Sequence, residues 1–464
     1  MNKSIFRIAL CATLAVSLAG CGMFDFASDW FSSSKKSKLK GERISVMSLD
    51  ESLKPDPTLN DTKILLPPPY ANREWPQPGG YPANAMYHLE ANGALKEIWE
   101  QDTGKGSDND SRLTAPPVVA GGRVFVLDAA AHLYAMQASN GKPLWDHDLA
   151  PKAEDTGFDW TFGLFGTDDP DPTKGFGGGV AYESGHVFVA TGFGVVFALD
   201  AASGKILWKT SLDVPVVDAP TANGGRVFIC TQDNHFYALA QSDGRRLWDH
   251  QGITESAGVL ESTSPAVSGD YVIAPYSSGE LFAIRVENGR PAWNDMLTRS
   301  GNVTALSELD DIAGRPVIDR DMVFAISHSG IMAAINLDTG DRVWTRDIGG
   351  IQTPWVAGDF LYVTTTDGLL LCLERKSGKV KWVHQLQRWQ NMADKEDPIV
   401  WSGPVLVSDR LILVSSDGYA ISISPYSGRL MGRVQIPDGT YIPPVVANGT
   451  LYLLTNSAQL VALR

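Results

Sequence analysis

Residues Gly194 to Trp208 read GVVFALDAASGKILW. Apolar residues alternate through Val195–Leu199, a polar turn closes on Gly204-Lys205, and a second extended run ends in tryptophan. This pattern predicts two antiparallel strands joined by a glycine turn. Near-copies recur along most of the chain, so the fold depends on what many such hairpins build together.

Each copy opens with a proline or small residue and a short strand. A turn at Gly or Asp leads to an aromatic-rich strand, and then comes the hairpin just described. The units begin APPVVAGGRVFVL at Ala115, GGGVAYESGHVFV at Gly177, DAPTANGGRVFIC at Asp218 and STSPAVSGDYVIA at Ser262. They continue with GRPVIDRDMVFAI at Gly314, QTPWVAGDFLYVT at Gln352, WSGPVLVSDRLIL at Trp401 and YIPPVVANGTLYL at Tyr441. Turn glycines Gly141, Gly204, Gly244, Gly289, Gly340, Gly378 and Gly428 close seven units. Tryptophans follow at Trp145, Trp208, Trp248, Trp293, Trp344 and Trp382, while the seventh unit has Met431 in that place. The eighth unit reaches Arg464 after its third strand. Near the front, Ala94-Leu95-Lys96-Glu97-Ile98-Trp99 has the form of the missing fourth strand.

A ring whose last blade is completed by the first strand accounts for both irregularities and leaves no open sheet edge at the seam. The expected fold is therefore all-β: an eight-bladed β-propeller of four-stranded antiparallel blades over residues 85–464. A β-solenoid would not need complementary defects at its two ends. Trp99 and the six blade tryptophans are expected to wedge between neighbouring sheets, each contributing roughly 3–5 kcal/mol.

The first twenty residues indicate export. Lys3 and Arg7 precede an apolar run, Ile8 to Leu18, which ends Leu18-Ala19-Gly20-Cys21. The run is short for a membrane span and has the form of a signal peptide. Its end resembles the bacterial lipobox, which implies removal of residues 1–20 and lipidation of Cys21. Gly22 in place of aspartate implies the outer membrane, facing the periplasm. Residues 21–84 lack periodicity, carry a Ser/Lys run and Pro67-Pro68-Pro69, and read as a flexible tether; Ile64-Leu65-Leu66 could dock on the folded body. Cys230 and Cys372 lie in apolar strands of different units and are expected as buried free thiols.

The formal charge is -14, which argues against nucleic acid as a partner. Gly-Lys recurs only as turn chemistry and never in a phosphate loop. No nucleophile elbow or His-Glu-x-x-His motif occurs, and no carboxylate pair stands out by spacing. The insert Asp146 to Gly179 contains Trp160, Phe162, Leu164 and Phe165, an apolar cluster that either folds onto the propeller or meets a partner. Its Asp169, Asp171 and Thr173 alternate as in a calcium loop, but Gly175 comes one place late and Val180 stands where a glutamate is needed.

The Ala-Leu-Asp…Ser/Thr-Gly-Lys…Trp unit resembles the repeat of quinoprotein alcohol dehydrogenases, which implies a pyrroloquinoline quinone and a calcium ion on the axis. The adjacent-cysteine pair and the haem motif of those enzymes are missing, so no cofactor and no metal site is expected. Lipobox, Pro-rich tether, eight repeats and the missing catalytic set together resemble the BamB lipoproteins, which serve the machine that assembles outer-membrane β-barrels. That resemblance implies a non-enzymatic scaffold. It also implies partners: a BamA-like barrel protein, the other subunits of the complex, unfolded outer-membrane proteins, and the membrane itself through the lipid. The family's partner loops match Val259-Leu260-Glu261-Ser262-Thr263-Ser264-Pro265 and Leu309-Asp310-Asp311-Ile312-Ala313. Val259 and Asp311 agree with the family pattern; Leu260 replaces an arginine and Ala313 an acidic residue. The alternatives by function are a dehydrogenase with a divergent site and a propeller that binds polysaccharide or peptidoglycan.

Overall fold

The computed structural model describes residues 53–91, 95–108, 111–151, 177–255, 263–298 and 310–464. Cys21, the core of the 146–179 insert, Val259, Leu260, Glu261, Ser262 and Leu309 lie outside the described residues. The compact unit spans residues 53–464.

Eight four-stranded antiparallel sheets form a β-propeller. Blades 1 to 7 cover residues 118–148, 178–211, 221–251, 266–296, 317–346, 355–385 and 401–435. Blade 8 combines residues 445–463 with the strand Glu97–Asp102, which pairs with Gln459–Leu463. Reciprocal bonds of 2.8 Å between Lys96 and Arg464 finish the seam. Inner strands are buried throughout, as in Val118–Ala120, whereas an outer strand such as Ile206–Ser211 alternates between exposed and half-buried positions. The inward-facing residues of each strand stack against the neighbouring blade, which is the expected consequence of period-two patterning. Cys230 and Cys372 are both buried and free. One small hairpin, Trp389–Asn391 with Glu396–Pro398, stands outside the blades.

The repeat's Asp-x-x-Ser-Gly-Lys turn has a local cause. Asp200 Oδ1 accepts bonds from the Ser203 amide (2.8 Å) and hydroxyl (2.6 Å), which hold its carboxyl below the usual carboxylate range. The Gly204 amide then closes on the Asp200 carbonyl at 2.8 Å. The turn glycines sit at φ between 65° and 78°, where a side chain is strained. Each also lies flat on the tryptophan of the preceding blade, so that an added Cβ would stand 2.5–2.8 Å from the Trp side chain. The six blade tryptophans donate Nε1–H to a carbonyl of the following blade, at 2.7–3.2 Å. Trp99 differs. The Ala138 carbonyl in the corresponding place is taken by the Tyr452 hydroxyl at 3.1 Å.

This docking rule explains Met431. A blade's tryptophan needs the glycine turn of the next blade, and blade 8 has none because its outer strand arrives from the front of the chain. With no platform to receive it, blade 7 carries Met431, 56% exposed. Gly244→Val is expected to cost about 2–5 kcal/mol, combining left-handed strain with a clash on Trp208. The check is the urea midpoint, with Gly244→Ala intermediate.

The stretch expected to remain a tether as far as residue 84 is bound from residue 53 onward. Residues 53–66 cross the outer rim of blade 6, with the Asp56 amide on the Val380 carbonyl (2.8 Å) and Lys381 Nζ on the Leu59 carbonyl (2.5 Å). Ile64 is buried and Leu66 packs on the same cluster, while Leu65 is exposed. Residues 72–91 then make one circuit of the axis and touch the inner strands of all eight blades in order. Asn72 bonds Val446 and Asn448 of blade 8, and Trp75 exchanges two bonds with Val119 of blade 1. The Pro76 carbonyl accepts from Tyr182 of blade 2, and the Gln77 amide makes a strand-like pair of bonds with Ala222 of blade 3. Pro82 bonds Val267, Ala83 bonds Ile318, the Tyr87 carbonyl accepts from Trp355 Nε1, and Leu89 exchanges bonds with Leu406 and Ser408. Prolines suit this path. They hold an extended backbone and leave carbonyls to pair outward with strand amides. The belt lies on the side where each blade's first two strands turn, opposite the loops that enter the blades.

Candidate functional site

The described ends of the two sequence-predicted partner segments, residues 263–265 and 310–313, enter blades 4 and 5 on the loop-bearing side. Their roots are fixed by a polar framework. Asn234 Nδ2 donates to the Ile253 carbonyl at 2.6 Å, and its Oδ1 accepts from the Ser277 amide at 3.1 Å. Glu280 Oε2 accepts from the Ile253 amide at 2.6 Å and from the Ser278 hydroxyl at 2.9 Å. His250 Nδ1 lies 2.8 Å from the Tyr276 hydroxyl. Burial pushes the Tyr276 phenol well up and the His250 imidazole down. The first segment returns at Thr263, whose amide donates to Asp218 Oδ1 (3.2 Å) and whose carbonyl accepts from Ala219 (3.0 Å). The second returns through Ile312, whose amide meets the Tyr276 carbonyl at 3.4 Å. Two segments separated by some fifty residues therefore share one platform, built from the ends of blades 3 and 4.

Asp311 sits inside this platform rather than on a rim. It is 8% exposed, its carbonyl accepts from the His328 amide at 2.9 Å, and Ile312 and Ala313 beside it are buried. Asp310 is half-buried. Sequence reasoning missed Asp218 and Arg315, which complete the charge cluster. The Asp218 carboxyl is pushed up to about 8, first by desolvation, then by the charge of Asp311, against the opposing pull of the Thr263 amide and Arg315. A folded-state value above the unfolded one means that stability is greatest at low pH and falls as pH rises, here between about 4 and 8. Asp218 keeps some solvent contact, so the slope is expected to stay below the limit of about 1.4 kcal/mol per pH unit. Asp218→Asn is expected to raise the melting temperature at pH 8 and leave it nearly unchanged at pH 4, measured by circular dichroism.

The cavities that described residues line at the axis are small. Arg315, Gln352, Thr353 and Pro443 line two cavities of about 30 Å³ each, one of them floored by Trp75, Gly79 and Asn84 of the belt. Ligand pockets for organic cofactors run to about 300–1,000 Å³, so neither of these two cavities would fit a quinone. Among the described residues no group of three His, Cys, Asp or Glu side chains could hold a metal ion.

The comparisons with known proteins agree with this geometry. A BamB from Moraxella catarrhalis, known from its crystal structure, superposes with a TM-score of 0.63 at 16% identity, covering 80% of this chain and 100% of that one. A europium-containing methanol dehydrogenase superposes equally, at 0.63 and 14% identity, covering 82% of this chain and 89% of its own. Likeness at this identity shows the fold and does not choose between scaffold and enzyme. The sequence does choose. The outer membrane protein assembly factor BamB of Yersinia pestis is 25% identical over 368 residues, which is 79% of this chain and 88% of that protein. The profile described as outer membrane protein assembly factor BamB matches residues 88–156 and 152–384. On that match the chain belongs to the family of outer membrane protein assembly factor BamB.

Proposed function

We propose that this chain is a lipid-anchored, non-enzymatic scaffold of the outer-membrane β-barrel assembly machine. It holds a BamA-like barrel subunit through the segments around Val259-Leu260 and Asp310-Asp311. The observation that carries this reading is the shared platform: two segments distant in sequence are rooted side by side on the ends of blades 3 and 4, in a chain of the BamB family. The small size of the axial cavities that described residues line supports a scaffold over a dehydrogenase. Binding the partner aids insertion of outer-membrane proteins. Lipidation at Cys21 would hold the molecule on the periplasmic side of the outer membrane. From Cys21 to Leu53 the chain can reach at most roughly 110 Å.

The test is capture of the full-length lipidated protein from detergent-solubilised membranes. A BamA-like barrel protein is expected among the recovered subunits, and its absence would count against the proposal. Asp311→Asn keeps the side chain's shape and removes its charge. It is expected to lower recovery several-fold while the chain still melts cooperatively, and unchanged recovery would remove Asp311 from the contact.

A further inference from the structure

We propose that the cleft between blades 3 and 4, on the side of the ring where the belt runs, binds a phosphate group through Arg226, Arg285 and Arg290. The site lies opposite the loops that enter the blades and does not rest on the assembly role proposed above.

The cleft has a volume of about 590 Å³, against about 30 Å³ for each of the two axial cavities. That falls within the range of about 300–1,000 Å³ usual for ligand pockets. Arg226 lines it from blade 3, at the start of the strand Arg226–Cys230. Arg285 and Arg290 line it from blade 4, at the two ends of the turn between its last strands. In a chain of formal charge -14, three guanidiniums in one cleft reverse the local field. Two of them are set for an anion. The Arg285 guanidinium stacks over Tyr271, 4.4 Å from the ring centre, which fixes its fork. Arg226 Nη1 reaches only the Gly224 carbonyl at 3.4 Å, and its buried Nε has no hydrogen-bond partner among the described residues. A desolvated donor on a permanent cation favours an arriving charged acceptor. Two carboxylates share the lining. Asp270 is 88% exposed and stands 3.9 Å from Arg285, and Glu287 is exposed, so both can give way to solvent. A carboxylate offers two oxygens, whereas a phosphomonoester offers three on one centre, which suits forks arriving from two blades.

The opening has a cause in the repeat. In blade 2 the last residue of the first strand is Glu183, which accepts from the Gly224 amide at 3.1 Å and from Gln241 Nε2 of blade 3. In blade 5 the same position is Asp319, bound to Arg375 of blade 6 at 2.6 Å. Gln241 and Arg375 each follow the third strand of their blade, and the carbonyl of each receives the tryptophan of the blade before. In blade 4 that position is Val286, whose carbonyl receives Trp248 at 2.9 Å, and blade 3 faces it with Asn223. Valine offers no polar group across the joint. The side-chain bridge that spans the joints of blades 2–3 and 5–6 therefore has no counterpart from Val286, and the arginines flank an open cleft.

The phosphate can belong to a soluble phosphomonoester or to a lipid headgroup, and the probes separate the two. The full-length protein in detergent is titrated by calorimetry with glycerol 3-phosphate, short-chain phosphatidic acid and succinate. Saturable binding of a phosphate probe is expected, weaker at high salt, with the tighter of the two phosphate probes naming the source. Arg226→Gln and Arg285→Gln are each expected to weaken it at least tenfold. Arg123→Gln is expected to leave it unchanged, since Arg123 holds the same place in blade 1, bonded to the Gly121 carbonyl at 3.0 Å. Asp270→Asn removes a competing charge and is expected to tighten binding several-fold. This variant breaks no listed hydrogen bond of the fold, so it decides the matter even where an arginine variant loses its cooperative melt. The indole resonance of Trp248, assigned with Trp248→Phe, is expected to shift on binding, because its acceptor Val286 lines the cleft. Absence of saturable binding by both phosphate probes overturns the proposal. So does equal loss in Arg123→Gln, weaker binding by Asp270→Asn, or succinate binding as tightly as phosphate.

Discussion

Deleting residues 53–91 is expected to abolish the folded ring, with loss of the cooperative thermal transition expected of the intact chain. The belt supplies hydrogen-bond partners to the inner strands of all eight blades, and those strands are buried. Its own Trp75, Met86 and Leu89 are at most 4% exposed. Each buried amide or carbonyl stripped of its partner costs about 1–3 kcal/mol, and truncation of a large buried side chain about 3–5 kcal/mol. Even with water replacing several of these bonds, the sum exceeds the roughly 5–15 kcal/mol by which a domain is stable. Trp75→Ala isolates part of the effect. It should cost about 3–5 kcal/mol, because the indole also stacks on Trp355 at 6.4 Å and donates to the Pro78 carbonyl at 3.3 Å. A deletion variant melting within about 5 °C of the intact chain would reduce the belt to decoration.

The ring was legible in the sequence because each blade repeats the same local solution. Alternation marks Val195–Asp200 as a strand, Gly204 marks its turn, and Trp208 marks the joint to the next blade. The closing strand Glu97–Asp102 was legible from the one irregularity it repairs. The belt was not, because its partners are single residues drawn from eight different strands, and a stretch such as Pro76-Gln77-Pro78 carries no period by which to find them. Gln77 replaces a strand residue with a side-chain amide, which leaves no trace in hydrophobic patterning. Asp311 was found through resemblance alone. The like charge beside it, Asp218, lies almost a hundred residues away at the start of another repeat unit, so only the closing of the blades around one axis brings the two into one electrostatic environment.

The second large effect is expected at the one deeply enclosed ion pair among those described. Arg375 Nε meets Asp319 Oδ2 at 2.6 Å, with the two side chains 3% and 1% exposed. The guanidinium also donates to the Asp319 carbonyl at 3.0 Å and reaches Asp321 at 3.4 Å, and the Tyr87 hydroxyl of the belt donates to Asp319 Oδ1 at 3.1 Å. The Arg375 carbonyl in turn receives Trp344 Nε1 at 2.9 Å. One residue pair thus ties the inner strand of blade 5, the turn of blade 6 and the belt together. Arg375→Met removes the buried cation and leaves Asp319 with the Tyr87 phenol and the more distant, largely exposed Arg320 guanidinium at 3.9 Å, so a loss of about 3–5 kcal/mol is expected. Arg375→Met/Asp319→Leu removes both charges and should recover at least about 2 kcal/mol of that, because much of the damage is an uncompensated charge and not a missing attraction. Urea midpoints of the two single variants and the double variant give the coupling. A double variant less stable than Arg375→Met would show that the remaining bonds to Asp319, including Tyr87, matter more than its charge. The belt would then be held at this point by a neutral network, and Tyr87→Phe should reproduce the loss.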